Sequence, residues 1–196
     1  MISTAEKINF DKWRLADASS NQKGLKTCAL SYDGLPVSFA LGKGLHTRYG
    51  ATTWDKSSDA IRRNLDFDIT SASDIKQVLS EIDEWTKGYI EDNSERLLGR
   101  KMTKDEVYWN YKPLLLDTMG KQGIRTKITL AGNYACSFWD VDRNPTTPPE
   151  NGQWRNYQYD VIVSLPRLYV MSCGTIGWVC ESKALQLKDL TLDCPF

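Results

Sequence analysis

Residues 62–98 hold the feature that most constrains the fold, a polar–apolar period of two that switches to a helical period. Leu65, Phe67 and Ile69 alternate with polar residues. This alternation places the apolar side chains on one face of a β-strand and the polar ones on the other. Residues 62–69 are therefore predicted to form a strand with one buried face.

A long amphipathic helix is predicted directly after this strand. Ser71 and Asp74 have the spacing of a capping box, in which two side chains satisfy free backbone N–H groups at a helix start. Six apolar residues then recur on one helical stripe: Ile75, Val78, Leu79, Ile82, Trp85 and Tyr89. We expect a helix over residues 71–98 that packs this stripe against a sheet.

Most of the remaining chain is predicted to be β-structure, so the fold class is α+β. Alternating segments suited to strands lie at residues 24–32, 35–41, 124–131, 134–141, 157–164, 168–173, 178–181 and 184–192. Residues 42–50 are rich in glycine and are predicted to be a loop. Thr103 and Glu106 form a second capping box, which predicts a short helix ending before Pro113. We expect one domain over residues 1–196, with a helical insertion at about 71–112 and a flexible loop at about 142–156.

Charge and hydropathy narrow the class of protein. The chain has 25 basic and 25 acidic residues and no net charge. This balance argues against coating nucleic acid by bulk charge, but it leaves a local basic groove open. No segment approaches the ~20 apolar residues of a membrane span, and the first residues lack a hydrophobic signal core. We therefore expect an intracellular protein without membrane contact.

Metal, cofactor and catalytic chemistry are not indicated. The five cysteines include no C-x-x-C pair, and the single histidine, His46, is not near any of them. This pattern does not fit a zinc site, so we expect buried free thiols. His46 also lacks the sequence setting of nucleophilic catalysis. Asp66 and Asp68 are interpreted as hydrated carboxylates on a strand, and we predict no enzyme, no metal and no cofactor.

Aromatic and basic residues recur side by side, as in Arg48-Tyr49, although the chain is neutral. The seven tryptophans and nine tyrosines are many for this length. Proteins that bind single-stranded nucleic acid stack bases on aromatic rings and contact phosphates with Arg and Lys. The predicted phosphate contacts are Arg62, Arg63, Arg125 and Lys127. The predicted stacking residues are Trp139, Trp154 and Tyr157.

The order of elements resembles a family of single-stranded-DNA-binding proteins of large double-stranded DNA viruses, built on an OB-fold barrel. Podovirus single-stranded-DNA-binding proteins are similar in outline. The resemblance covers about residues 25–190 and is carried by five segments: Leu65-Asp66-Phe67, Ile82-Asp83-Glu84-Trp85, Tyr111-Lys112-Pro113-Leu114, Arg125-Thr126-Lys127-Ile128, and Tyr169-Val170-Met171 continuing to Gly177-Trp178-Val179. It implies a small antiparallel OB-like β-barrel with the long amphipathic helix packed on it. It also implies binding of single strands in viral replication, repair or recombination, in the host cytoplasm or nucleus.

Two hypotheses of different classes follow. The first is a non-catalytic single-stranded DNA-binding protein. RNA as a ligand, homo-oligomerisation and replication proteins as partners stay open. The alternative is a viral protein–protein interaction module that uses an exposed aromatic patch, because aromatic residues are also enriched at protein interfaces.

Overall fold

The computed structural model describes residues 8–21, 24–53, 61–118 and 120–191. Two α-helices are present in these ranges, α1 (Ser73–Leu98) and α2 (Lys104–Asn110), with 3-10 helices at Phe10–Lys12 and Trp154–Asn156. The strands are β1 (Trp13–Leu15), β2 (Ser19–Ser20), β3 (Lys26–Tyr32), β4 (Leu35–Pro36), β5 (Ser38–Thr52), β6 (Arg62–Asp68), β7 (Tyr111–Lys112), β8 (Leu115–Thr118), β9 (Lys121–Thr129), β10 (Ser137–Trp139), β11 (Tyr157–Val170) and β12 (Ile176–Asp189).

Five of these strands close into a β-barrel. Around the ring, β11 pairs with β5, β5 with β6, β6 with β9, β9 with β12, and β12 with β11. All these pairs are antiparallel except β9–β12, which is parallel and brings Lys127 opposite Glu181. The predicted α+β fold, an OB-like barrel carrying a long helix, is confirmed.

The alternation read from residues 62–69 determines how β6 enters the barrel. Leu65, Phe67 and Ile69 have no solvent exposure, and the polar residues between them face outward. Among the buried hydroxyl groups, those of Thr126 on β9 and Ser182 on β12 satisfy each other at 2.7 Å. That pairing lets polar residues of β9 and β12 be buried without the cost of an unpaired hydroxyl.

The start of α1 differs from the prediction. The helix begins at Ser73, its N-cap is Ala72, and no side chain caps it. The capping box predicted from Ser71 and Asp74 is therefore wrong, since Asp74 instead accepts a hydrogen bond from the Ser73 hydroxyl at 3.2 Å. The apolar stripe is as predicted: Ile75, Leu79 and Ile82 are buried, while Val78, Trp85 and Tyr89 pack at its margin.

A buried carboxylate fastens α1 to the segment that follows α2. Asp83 accepts hydrogen bonds from the Tyr111 hydroxyl at 2.6 Å and from the Leu114 amide at 3.0 Å. One turn further along α1, Thr86 accepts a hydrogen bond at 3.1 Å from the indole of Trp178 on β12. The second helix, α2, starts with the predicted capping box of Thr103 and Glu106. Together these bonds hold the helical insertion against the barrel.

Residues 42–50, predicted to be a loop, lie within the long strand β5. Their pairing with β11 and β6 is interrupted by bulges. Glycine permits the unusual backbone there, with Gly44 and Gly50 at φ of 62° and 70°. The prediction failed because glycines that mark a loop also occur at the bulges of a curved barrel strand.

The cysteine prediction is correct in part. Cys28, Cys136 and Cys180 are buried free thiols, but Cys173 is exposed in the turn between β11 and β12. Cys194 lies outside the described residues.

The predicted loop at 142–156 runs irregularly from Asp140 to the 3-10 helix at Trp154. It is attached at both ends. Asp140 accepts hydrogen bonds from the amides of Asp142 and Asn144, and Asn151 accepts one from Arg63. The flexibility of this loop stays a prediction.

Candidate nucleic-acid interface

The outward side of β6 and β9 gathers three of the predicted phosphate-binding residues. The strand register sets Arg62 opposite Thr129, Asn64 opposite Lys127 and Asp66 opposite Arg125. Residues opposite each other in a ladder share one face of the sheet. The basic members, Arg62, Arg125 and Lys127, are all exposed. We call this surface, together with Tyr49 of β5, the strand face.

Arg125 is held in place by Asp66. Its Nε and Nη2 atoms each donate to one carboxylate oxygen at 2.7 Å, a bidentate geometry. The side chain of Arg125 is 53% exposed, whereas that of Asp66 is 14% exposed. The hydrogen bonds to Asp66 and the negative charge of Asp66 raise the pKa of Arg125, although partial burial opposes this effect.

Tyr49 lies in the bulge of β5, between the residues that pair with Phe67 and Leu65 of β6, and 57% of its surface is exposed. An exposed ring next to a guanidinium is the arrangement that proteins use to stack a base while contacting its phosphate.

Arg48 extends the strand face toward the other end of β6. Its guanidinium lies against Gly123 of β9, where an added Cβ would come within 3.2 Å of it, and its Nε is 3.5 Å from Asp68. Burial by itself raises the pKa of Asp68. The hydrogen bonds from Thr70 and the charges of Arg48 and Lys121 together outweigh burial and lower this pKa. The missing side chain at position 123 therefore makes room for an arginine that crosses from β5.

A second mixed cluster flanks the strand face on β12. Glu181 lies opposite Lys127 in the parallel ladder. It is paired with Lys183 at 2.6 Å and, more loosely, with Arg167 at 3.8 Å. Lys127 thus lies between the Arg125–Asp66 pair and this cluster.

Basic side chains outnumber acidic ones across this outer surface. The five barrel strands together contain ten Lys and Arg residues against five Asp and Glu residues. Helix α1 has the reverse balance, with seven acidic and three basic residues. The neutral chain is therefore divided into a basic sheet surface and an acidic helix.

Trp139 also faces outward. It is half-buried on β10, on the side opposite the buried Phe138, and lies next to Gln186 of β12. It lies on β10 rather than on β6 or β9, and its role in stacking stays a prediction.

Three other predicted contact residues do not lie on the strand face. Arg63 points to the opposite side of β6 from Arg62 and donates to Asn151 of the loop. Trp154 is 1% exposed and packs edge-on against Phe138, with ring centroids 6.2 Å apart. A buried ring has no face free for a base, so the stacking role predicted for Trp154 is wrong.

Tyr157 lines an open groove beneath the proline-containing loop, together with Glu150, Asp189, Val141 and Leu187. Burial first, and then the charges of Asp189 and Glu150, raise the pKa of its phenol. Asp140, Glu150 and Asp189 outnumber Lys188 in this groove and repel phosphate. The structure therefore does not join Tyr157 to the basic surface.

Sequence reasoning did not select Tyr49 and Arg48 as contact residues, although their adjacency was part of the basic–aromatic pattern. Alternation of buried Leu45 and Thr47 with exposed His46 indicates a strand, but it does not place Tyr49 outward, because a bulge in β5 follows Thr47. Interpreting residues 42–50 as a loop removed that signal.

The described residues contain no group of three or more His, Cys, Asp or Glu side chains arranged to hold a metal ion. His46 is exposed, and its Nε2 lies 3.3 Å from the amide nitrogen of Gln158. Within the same described ranges, neither helix has the length and apolar character needed to cross a membrane.

No model of a known protein family matches the chain, and no curated protein matches it by sequence. Solved structures match its fold. The single-stranded DNA-binding protein of bacteriophage Enc34, in complex with single-stranded DNA, is 10% identical, with a TM-score of 0.50 over 90% of this chain and 96% of that one. The single-stranded DNA-binding protein gp2.5 of bacteriophage T7 is 12% identical, with a TM-score of 0.52 over 78% of this chain and 92% of that one.

The chain has the fold of these phage proteins. This likeness confirms the OB-fold resemblance that the order of elements suggested.

Proposed function

We propose that this protein binds single-stranded DNA across the strand face and catalyses no reaction on it. The observation that carries the proposal is the outward row of Arg62, Arg125 and Lys127 on β6 and β9, with exposed Tyr49 on the adjoining strand β5. OB-fold barrels bind oligonucleotides on the face of their second and third strands. In chain order around this barrel, β6 and β9 are those two strands.

The chemistry of the strand face suits an unpaired strand. Guanidinium and ammonium groups contact the phosphates, and an exposed ring stacks a base whose face is not covered by a neighbour in a duplex. Tyr49 is the first stacking candidate, and Trp139 is the second. Stacking of this kind contributes ~1–3 kcal/mol for each base.

We place this activity in viral replication, repair or recombination, inside the infected cell. Support comes from the two phage proteins of the same fold, both of which are named as single-stranded DNA-binding proteins. Homo-oligomers and replication proteins as partners belong to the same proposal.

The test is fluorescence anisotropy of a labelled dT oligonucleotide titrated with the full chain at two salt concentrations, beside a duplex of equal length. We expect binding to the single strand that is tighter than binding to the duplex. Its affinity should fall with salt, at a slope of about −0.7 for each phosphate neutralised. Equal binding to strand and duplex, or none at low salt, would refute the proposal. An rU oligonucleotide in the same assay compares RNA with DNA.

Two lysine variants locate the binding surface. Lys127→Ala removes an exposed cation from the strand face and should make the salt slope shallower by about 0.7. Lys104→Ala removes an exposed cation from the start of α2 and should leave the slope unchanged. Equal effects of the two substitutions would show that charge acts on binding without regard to position.

A further inference from the structure

Two basic residues of the strand face and its flank, Arg125 and Lys183, are already paired with carboxylates. Asp66 holds Arg125 with two 2.7 Å hydrogen bonds, and Glu181 holds Lys183 at 2.6 Å. Glu181 also faces Lys127 across the ladder. Two carboxylates therefore stand within the rows of cations that the proposed function assigns to the DNA backbone.

We propose that Asp66 and Glu181 are affinity-limiting residues of the single-strand site, acting as internal anions that compete with DNA phosphates for its cations. This inference rests on the proposed function. Each carboxylate neutralises part of the positive charge that a phosphate would meet, so binding of a strand has to share or displace an existing ion pair. Affinity and salt dependence are both lower than the number of basic residues alone predicts.

The geometry of Asp66 makes it the stronger case. A guanidinium has five N–H donors, and Asp66 uses only the edge formed by Nε and Nη2. Nη1 thus stays available for a phosphate oxygen, but beside a carboxylate whose charge opposes the approach of that oxygen. Asp66 is 14% exposed and its position is fixed by β6, so it cannot swing away as a surface carboxylate would.

The Asp66→Asn substitution separates charge from positioning. The amide oxygen of asparagine still accepts a hydrogen bond from Arg125, while the negative charge is lost. We expect tighter binding of the dT oligonucleotide and a salt slope steeper by about 0.7, which corresponds to one additional phosphate contact. Glu181→Gln should act in the same direction, and the double variant should approach the sum of the two slope changes.

The matched control is Asp92→Asn on α1, an exposed residue that makes the same change in net charge away from the strand face. It should leave the slope unchanged, since charges separated by more than a Debye length of about 10 Å are screened in 0.1 M salt. Circular dichroism of each variant verifies that the fold is retained.

Three outcomes are distinct. Steeper slopes for Asp66→Asn and Glu181→Gln, with no change for Asp92→Asn, support the inference. Weaker or unaltered binding by both variants, with strong binding by the unmodified chain, overturns it and makes the two carboxylates positioning residues, while the proposed function stands. Absence of single-strand binding by the unmodified chain removes the proposed function, and this inference is then overturned with it.

Discussion

At the scale of single residues, the absence of a side chain at Gly123 leaves room for Arg48 on the proposed binding surface. The hydrogen atom of Gly123 faces the Arg48 guanidinium, which has crossed from β5 over β6 to reach β9. Any side chain at this position would meet the carbonyl oxygen of Phe67 at 2.8 Å and Arg48 at 3.2 Å. The glycine therefore has a steric role rather than a conformational one.

We expect Gly123→Ala to destabilise the protein by about 1–3 kcal/mol, the usual cost of forcing extra atoms into a packed site. The measurement is urea unfolding followed by tryptophan fluorescence. Gly88→Ala on α1 is the control, because an added Cβ there has nothing within 4 Å. It should stabilise the chain by about 0.5–1 kcal/mol through helix propensity. Destabilisation by both substitutions would argue against the steric explanation.

The four described cysteines differ in the chemistry of their thiols. Hydrogen bonding by Thr175 lowers the pKa of exposed Cys173, whereas burial raises the pKa of Cys136 and of Cys180 to about 12. Burial also raises the pKa of Cys28.

We expect iodoacetamide at neutral pH to alkylate Cys173 well before the three buried cysteines, because the thiolate is the reacting species. Mass spectrometry of peptides from the native protein measures the order. A second digest of the urea-unfolded protein serves as the control, in which the four should react at similar rates. Faster reaction of a buried cysteine in the native protein would contradict the burial argument.

At the scale of elements, the long helix is attached to the barrel through polar contacts as well as its apolar stripe. Asp83 is the centre of these contacts, and donors from β7 and the residues after it converge on it. Burial raises the pKa of Asp83, outweighing the opposing hydrogen bonds from Leu114 and Tyr111. A raised pKa means that the folded protein tolerates the negative charge less well than the unfolded chain does.

We expect Asp83→Ala to lower the free energy of unfolding by about 2–4 kcal/mol, since the Leu114 amide and Tyr111 hydroxyl lose their buried partner. Thr86→Val is the comparison, because it removes the acceptor of the Trp178 indole and a donor to the Ile82 carbonyl, which is within the same helix. It should cost about 1–3 kcal/mol, the penalty for one unsatisfied donor. Loss of less than 1 kcal/mol in Asp83→Ala would show that the apolar stripe alone holds the helix.

The pH dependence of stability has a definite sign at Asp83. Because its folded pKa lies above the unfolded value, its contribution to stability is greatest in acid and falls as the pH rises from the unfolded pKa through the folded one. Relative to Asp83→Asn, the unmodified chain should therefore lose stability between pH 4 and neutral pH. Urea unfolding of both proteins across that range measures their free energies of unfolding. A gain in stability of the unmodified chain relative to Asp83→Asn as the pH rises would contradict this sign.

At the scale of the whole molecule, acidic and basic residues are unevenly distributed although the net charge is zero. The acidic excess on α1 offsets the basic excess on the outer surface of the barrel. Exposed aromatic residues are divided as well. Trp109 is 77% exposed on α2 and contacts Tyr108 edge-on, whereas Tyr49 lies on the strand face.

We expect Tyr49→Ala to weaken single-strand binding by about 1–3 kcal/mol, the value of one stacked base. Trp109→Ala, which removes a more exposed ring from the helical insertion, should change the affinity by less than twofold. Fluorescence anisotropy with the dT oligonucleotide measures both. The opposite ranking would move the binding surface to α2, and no effect of either would favour the protein-interaction hypothesis for the exposed aromatic residues.

The side chains that share one face of a strand can be predicted from sequence, because a period of two is a local property of the backbone. The outward positions of Arg62, Arg125 and Lys127 were predictable for that reason, as was the buried stripe of α1. Which strand faces and loops contact each other depends on the tertiary structure. Arg63 bonds to Asn151 and Arg48 lies over Gly123, and neither contact follows from neighbours in the chain. Trp154 lies in the core because the loop after β10 folds back on β5. The Cβ of Trp154 is so close to Gly50 of β5 that a Cβ at position 50 would lie 3.4 Å from it. Local alternation is encoded residue by residue, whereas these contacts depend on barrel closure, which joins strands far apart in the sequence.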